Sequence, residues 1–404
     1  MTSTRMKRLG AAVTTVALAA SLVANSSAHA DPKQFSAFVG VGSDTTQDVL
    51  NAFAGFAGAT TPPTVAGTNY VPLQSSVASG QRQLVSFDAV PAGSCITTKT
   101  GAPSFARPNG SSAGRRALSR AIDGTLYGSA ACGGLKDVSG LVDFARSSAG
   151  PADGDTGTTL TYIPYGRDGV SFAYYKASAG APVTALTRTQ LTTLFSTGAT
   201  TIGGVRILPC GIQTSSGTYS FWNSAANVSA AQEAVGTNEC NNLLGAGVRA
   251  EENTPGDLKA RGDAAEAAVP GTEVIIGFSA ANFIAKSNGA SAGGVTAGVG
   301  IGGISDNGSG TNLGSPVVGS APTMTPNPTF YNDGTFGRRV YNVVRTSLLG
   351  GLPGANADLK TMFVGATSAV CSAAADVTVE KFGFEQAPDC GVTTITGSLI
   401  AGNL

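Results

Sequence analysis

The chain has a single histidine, His29, in 404 residues. It falls in the first thirty residues, which read as an export leader, so the remainder has none. That excludes a Ser-His-Asp or Cys-His mechanism and any histidine-ligated metal site. Charge is scarce as well: charged residues make up 12% of the chain, with 25 basic and 25 acidic side chains. Three of the basic residues and none of the acidic ones lie in the leader, so the rest is slightly negative. No basic tract exists to hold nucleic acid or an anionic membrane. The chain also lacks any C-x-x-C pair, which argues against a four-cysteine metal site. Neither a metal nor a cofactor is expected. Beyond the leader no run is long and apolar enough to span a bilayer.

What is present begins with that leader. Arg5, Lys7 and Arg8 precede a run of small and apolar residues from Leu9 to Val23, followed by Ala28-His29-Ala30. A charged start, a short apolar stretch and a small-x-small site form a secretory signal over residues 1–30. The product is expected outside the cytoplasm. No cysteine adjoins the cleavage site, which argues against a lipid anchor there. All six cysteines (Cys95, Cys132, Cys210, Cys240, Cys371 and Cys390) lie in the exported part. An even count in an oxidising compartment predicts three disulfides. Several connectivities remain open. Nearest-neighbour pairing, Cys95–Cys132, Cys210–Cys240 and Cys371–Cys390, is preferred because each pair closes a local stretch. Length predicts two domains, since single cores rarely grow past roughly 250–300 residues.

Strand and helix signals alternate, which predicts an α/β protein. Strands are expected over Gln34–Gly42, Gln83–Val90, Gly140–Phe144, Tyr162–Tyr175, Arg206–Leu208, Glu273–Gly277 and Val340–Val344. Helices are expected over Thr46–Phe56, Ser111–Ile122, Thr189–Phe195, Thr218–Ala225, from Ala231 and over Ala280–Lys286. Val49, Leu50, Phe53 and Phe56 share one helical face. Asp44 and Gln47 resemble a capping pair before it. Asn288–Pro322, rich in Gly, Ser, Ala and Thr, is expected to be an exposed loop or loose hairpin. Trp222 and Tyr162, Tyr165, Tyr174 and Tyr175 read as packing residues. Arg116 and Arg120 read as a solvated helix face.

Three small-residue turns run into predicted helices: Gly40-Val41-Gly42-Ser43-Asp44-Thr45, Asn109-Gly110-Ser111-Ser112-Ala113-Gly114 and Ser215-Ser216-Gly217-Thr218. Such a turn offers free backbone N–H groups, short hydroxyls and the positive end of a helix dipole, which suits an oxyanion. The competing reading makes Ser111 and Asp44 plain N-caps.

At these turns the chain resembles the phosphate-binding proteins of ABC transporters, a family of two-lobed type II periplasmic binding proteins. Gly40–Thr45 is similar to the family's first Gly-x-Gly turn, and Gly110–Gly114 to its Gly-Ser-Ser-Gly-Gly turn. Val142–Ser148 is similar to its Val-Asp-Phe-Gly-Ala-Ser-Asp stretch. Ser216-Gly217-Thr218-Tyr219-Ser220-Phe221 resembles its Ser-Gly-Thr-Ser-Phe helix start, and Ile276-Gly277-Phe278 its Ile-Gly-Tyr strand end. The resemblance implies a first lobe of residues 31–165 plus 338–404 and a second of 166–337, joined by two crossing strands. It implies ligation by Asp44, Thr45, Ser111 and Ser148 from the first lobe and Ser216, Gly217 and Thr218 from the second. Ser148 stands where the family has the carboxylate that accepts the proton of hydrogen phosphate. Ile212 stands where it has an arginine. Asp44 could supply the acceptor, and Arg146, Arg115 or Arg107 the guanidinium.

The expected function is capture of an inorganic oxyanion, phosphate first, by a monomer working beside an ABC transporter permease, with no catalysis. Two alternatives share the fold: a small polar organic solute, or a surface protein without a ligand. A hydrolase using Ser111 or Ser216 as nucleophile would need a lysine or carboxylate base, and no Ser-x-x-Lys lies near either turn.

Overall fold

The computed structural model describes residues 38–54, 84–91, 93–350 and 356–403. The leader, the start of the first predicted strand and Phe56 lie outside the described residues. No described helix is long and apolar enough to cross a membrane.

The strands that build the framework are β1 (Phe38–Gly42), β2 (Leu84–Ser86), β3 (Phe144–Ser147), β4 (Leu160–Lys176), β5 (Thr200–Ile202), β6 (Val205–Pro209), β7 (Thr272–Ser279) and β8 (Gly337–Arg345). The helices that matter here are α1 (Gln47–Phe53), α2 (Ser111–Asp123), α3 (Arg188–Thr197), α4 (Gly217–Ala225), α5 (Pro255–Ala268), α6 (Ala280–Ser287) and α7 (Ala373–Lys381). The predicted α/β class is the observed one.

One mixed sheet runs β5-β6-β7-β4-β8-β3-β1-β2. Its centre is β4. From Leu160 to Gly169 this strand pairs antiparallel with β8, and from Val170 to Lys176 with β7. A strand that changes partner part-way along divides the sheet into two halves. Side-chain alternation then gives each half an apolar layer on both faces. In the first half, Val49, Leu50 and Phe53 of α1 pack with Phe144, Ile163, Val340 and Val379 of α7. Val39, Val41, Ala145 and Val343 point the other way, against Ala117 and Leu118 of α2. In the second half, Ile275 packs with Phe172, Trp222 of α4 and Leu191, Leu194 and Phe195 of α3. Val274 and Ile276 point oppositely, with Leu208 and Leu258 of α5. Helix α6 serves both halves, with Ala281 and Ala285 in one core and Ala280 and Ile284 in the other.

The three disulfides are Cys95–Cys132, Cys210–Cys240 and Cys371–Cys390, as nearest-neighbour pairing predicted. Trp222 is core, edge-on to Phe195.

Three expectations need correction. Asn288–Pro322 is an exposed loop only in part. Gly300–Ile301 pairs with β4, Gly300 and Gly302 lie against the Tyr174 and Phe172 rings, and Ile304 and Leu313 are buried. The glycines there make room for aromatic rings, a role composition does not reveal. Arg120 is not solvated: it is buried, pairing with Asp123 and donating to the Gly402 carbonyl. Asp44 and Gln47 form no capping pair. Thr46 precedes α1 without a side-chain bond, and Gln47 Oε1 accepts from the Ala89 N–H at 2.6 Å.

Glu273 on β7 makes a first prediction. It is buried, Oε2 accepts from the Val183 N–H at 2.8 Å, and Oε1 has no hydrogen-bond partner. Burial pushes its carboxyl up to about 7, against the pull of Val183 N–H and Lys176. The folded state therefore holds a proton that the unfolded chain releases near its ordinary value of 4.5. Stability from this group is complete in acid and declines as pH rises through about 7, the sign that linkage requires. Glu273→Gln should flatten that decline and make the protein more stable than the parent above neutrality. Urea midpoints taken on both sides of neutrality check it; an unchanged decline would assign the slope to other groups.

Candidate functional site

All three small-residue turns arrive at the seam between the halves. Helix α2 starts there because Gly110 precedes it at φ 93°, a left-handed backbone that suits glycine. A Cβ on Gly110 would sit 2.5 Å from the Ser215 carbonyl oxygen of the opposite turn. Gly114, one turn on, faces the Gly42 Cα, where a Cβ would come within 2.5 Å. The missing side chain lets α2 press its first turn onto the end of β1. The Ser112 N–H then donates to the Ser215 carbonyl at 3.0 Å, tying the two turns together directly.

The hydroxyls at the seam form a chain of contacts. Ser43 Oγ donates to Ser148 Oγ at 3.3 Å, and Ser148 Oγ lies 3.2 Å from Ser111 Oγ. The Ser148 N–H donates to Ser111 Oγ at 3.0 Å. Thr45 Oγ1 lies 3.3 Å from Thr218 Oγ1, across the seam. Gly217 closes the gap between these groups: a Cβ there would be 2.5 Å from both Ser111 Oγ and Ser148 Oγ. Ser43, Thr45, Ser111, Ser148, Ser216 and Thr218 are all buried.

Ser111 and Ser216, both expected as ligands, are placed differently. Ser216 is the N-cap of α4, its Oγ accepting from the N–H groups of Thr218 and Tyr219 at 2.9 and 3.2 Å. Ser111 caps nothing. It is the first residue of α2, and its hydroxyl is turned to Ser148.

None of the three candidate arginines hydrogen-bonds these hydroxyls. Arg146 is fully buried beneath the first turn, donating to the carbonyls of Ser43 and Gly42 at 3.1 and 3.3 Å and to Ser86 Oγ at 2.7 Å. Burial lowers its proton affinity, and Asp88, Tyr165, Asp44 and Asp48 work in the opposite direction. Arg115 donates to the Ser111 carbonyl at 3.3 Å and the Gly150 carbonyl at 2.8 Å. Arg107 holds Ser94 Oγ and the Asp88 carbonyl. Arg146 and Arg115 thus brace the first two turns through their backbone carbonyls. Ile212, where the family arginine would fall, is core.

Sequence reasoning missed the residues that meet Thr45 from the second half. Glu252 Oε1 accepts from Thr45 Oγ1 at 3.0 Å, and Asn253 Nδ2 donates to the same oxygen at 3.2 Å. Asn282 Nδ2 of α6 donates to the Thr45 carbonyl at 2.8 Å. Beside them, Asn109 bonds Glu251 and Gln213. The available signal was Glu251-Glu252-Asn253-Thr254-Pro255, two adjacent acids ahead of a helix whose first residue is proline. Asp44 sits against Glu252. Desolvation, then the Glu252 carboxylate and Glu251, push its carboxyl well above the ordinary range, and the Thr45 N–H only partly offsets this. Glu251 is raised too, chiefly by burial. Among the described residues no group of acidic, histidine and cysteine side chains is arranged to hold a metal ion.

No protein-family model matches the chain, and no curated protein matches it. Solved structures do. A Clostridium perfringens substrate-binding protein with bound phosphate is 12% identical, with TM-score 0.44, over 87% of this chain and 99% of that one. An ABC-type phosphate transport receptor from Vibrio cholerae is 13% identical, with TM-score 0.41, over 86% and 99%.

Proposed function

We propose that the protein is an extracytoplasmic solute-binding protein that closes two lobes, the halves of its sheet, on an inorganic oxyanion, with phosphate the preferred solute. The observation that carries this reading is the convergence of hydroxyls from Ser43, Thr45, Ser111 and Ser148 with Gly217 and Thr218 of the other half. They meet where α2 and α4 begin. Hydroxyls and helix-start N–H groups suit an oxyanion without a mobile charge. Arg115 and Arg146 act at one remove, fixing the carbonyls of the turns. Asp44 is the acceptor for a hydrogen carried by the solute, and sulfate, which carries none, is disfavoured beside it. A solute touching both halves favours the closed arrangement. An ABC transporter permease is the partner this role calls for, with the binding protein monomeric and untethered by lipid.

A second reading has a specific observation in its favour. Asp44, Glu251 and Glu252 place three carboxyls at one seam, which suits a neutral polyhydroxylated solute that donates hydrogen bonds. A thermal melt of the phosphate-free protein separates the two. Phosphate at about a hundred times its dissociation constant should add about 2.7 kcal/mol and raise the midpoint by a few degrees, with sulfate inert. A response to a neutral sugar alone would favour the second reading. Silence toward every solute would remove both.

A further inference from the structure

We propose that Asp44 and Glu252, one from each half, form an acid pair that reads hydrogens on the solute, so that the site takes an oxyanion in its more protonated form. The proposal rests on the oxyanion reading of the seam and deepens it.

Glu252 is 1% exposed. One of its oxygens accepts from Thr45 Oγ1, while Oε2 is buried with no hydrogen-bond donor. Asp44, whose Oδ1 accepts from the Thr45 N–H at 2.9 Å, lies within hydrogen-bonding range of that carboxyl. Two ionised carboxylates are acceptors only, so facing one another they satisfy neither. A buried acceptor left unmatched is costly, and two like charges at this separation more so. One hydrogen between them removes both penalties.

The surrounding charges do not supply a substitute. Glu251, on the same segment, adds a third carboxyl, and the Glu251 N–H is bonded to Asp257 of α5. Arg146 approaches Asp44 from β3, but its hydrogen bonds go to Gly42, Ser43 and Ser86, and Asp48 and Asp88 share its field. From α4 and α6, Thr218 and Asn282 meet Thr45, and both are uncharged. An incoming oxyanion adds negative charge to this acidic seam. It fits when the complex carries enough hydrogens for both carboxyls. Either a singly charged dihydrogen phosphate donates one hydrogen to each, or the pair keeps one and hydrogen phosphate brings the other. The two descriptions contain the same number of protons, so both predict uptake of one proton with binding wherever the free pair has given up its shared hydrogen and hydrogen phosphate predominates. A single ionised acceptor predicts none once hydrogen phosphate predominates.

The test is calorimetric titration of the purified, phosphate-free chain with inorganic phosphate from about pH 5.5 to about pH 9.5. Once the free pair has lost its shared hydrogen, the association constant should fall about tenfold per pH unit, the slope for one linked proton. Glu252→Gln, which keeps the shape and removes the charge, should flatten that slope. Asp44→Asn reads the same slope should Glu252→Gln fail to fold. Phosphate binding that stays level or strengthens up to the alkaline end of that range would overturn the acid pair and leave the oxyanion reading standing. A Glu252→Gln protein that binds more weakly at every pH with its slope intact would also overturn it, reducing Glu252 to a brace for Thr45. Folded protein that binds no phosphate at any pH would defeat the oxyanion reading and the acid pair together.

Discussion

Asp168→Ala should lower the free energy of unfolding by about 3–5 kcal/mol, the cost of leaving a buried partner charge unmatched. Asp168 and Arg338 stand opposite each other on β4 and β8, just before β4 changes partner. Oδ2 accepts from Nη2 at 2.7 Å and from Nε at 3.0 Å. Oδ1 accepts from the Ala281 N–H at 3.0 Å, at the start of α6. Asp168 is completely buried and Arg338 is 5% exposed. The carboxyl is nevertheless raised above its ordinary range: desolvation outweighs Arg338, the Ala281 N–H and Ser279. The folded protein therefore binds a proton here more tightly than the unfolded chain does. The contribution to stability declines as pH rises from the ordinary value of 3.8 toward the raised one.

The pair is thus a fastener whose halves depend on each other rather than a net source of stability. Asp168→Leu combined with Arg338→Met should cost much less than Asp168→Ala alone. Arg338→Met alone should be milder in acid, because the stranded carboxyl can take up a proton, whereas a stranded guanidinium cannot shed one. Urea unfolding of the four proteins at two pH values checks this. A loss below about 1 kcal/mol for Asp168→Ala would show that water reaches the pair.

The ion pair illustrates what the sequence made legible and what it did not. Element types came through where periodicity had several residues to act on. The face of α1, the long extended β4 and the small-residue start of α2 are all where pattern placed them. The disulfides followed from locality, since each bond closes a short stretch. The turns were legible because glycine and serine before a helix have few other uses. What failed depended on residues distant in the chain. Asp168 and Arg338 are 170 positions apart, and neither has a neighbour in sequence that marks it as buried. Arg120 and Arg146 carry the side chain usually exposed, yet both are buried, Arg120 against Asp123 and the Gly402 carbonyl and Arg146 against the carbonyls of Gly42 and Ser43. Glu252 reads as a surface acid until the fold sets it against Thr45, 207 positions away. Ser111 and Ser216 were both expected as ligands; the hydroxyl of Ser111 turns to Ser148 at the seam, whereas Ser216 caps α4.

Gly217→Val should abolish the response to phosphate while leaving both halves folded. Gly217 is the first residue of α4. The three atoms nearest a Cβ there are Ser111 Oγ and Ser148 Oγ at 2.5 Å and the Ala149 nitrogen at 3.1 Å. All belong to the opposite half. A side chain at this position obstructs the meeting of the halves, whereas the layers of the second half lie around Trp222, Ile275 and Phe195. With closure blocked, a solute keeps contacts to one half only, and the gain of about 2.7 kcal/mol expected at a hundredfold excess over the dissociation constant disappears. Gly217→Ala separates this from simple damage. Alanine favours helix over glycine by about 1 kcal/mol in a helix interior and by less at its first residue, so the solute-free protein should melt no lower than the parent while its phosphate response falls. Small-angle scattering gives the second readout. The parent should become more compact on adding phosphate, and Gly217→Val should not. A Gly217→Val protein that still gains several degrees from phosphate would place the solute away from the turn at the start of α4.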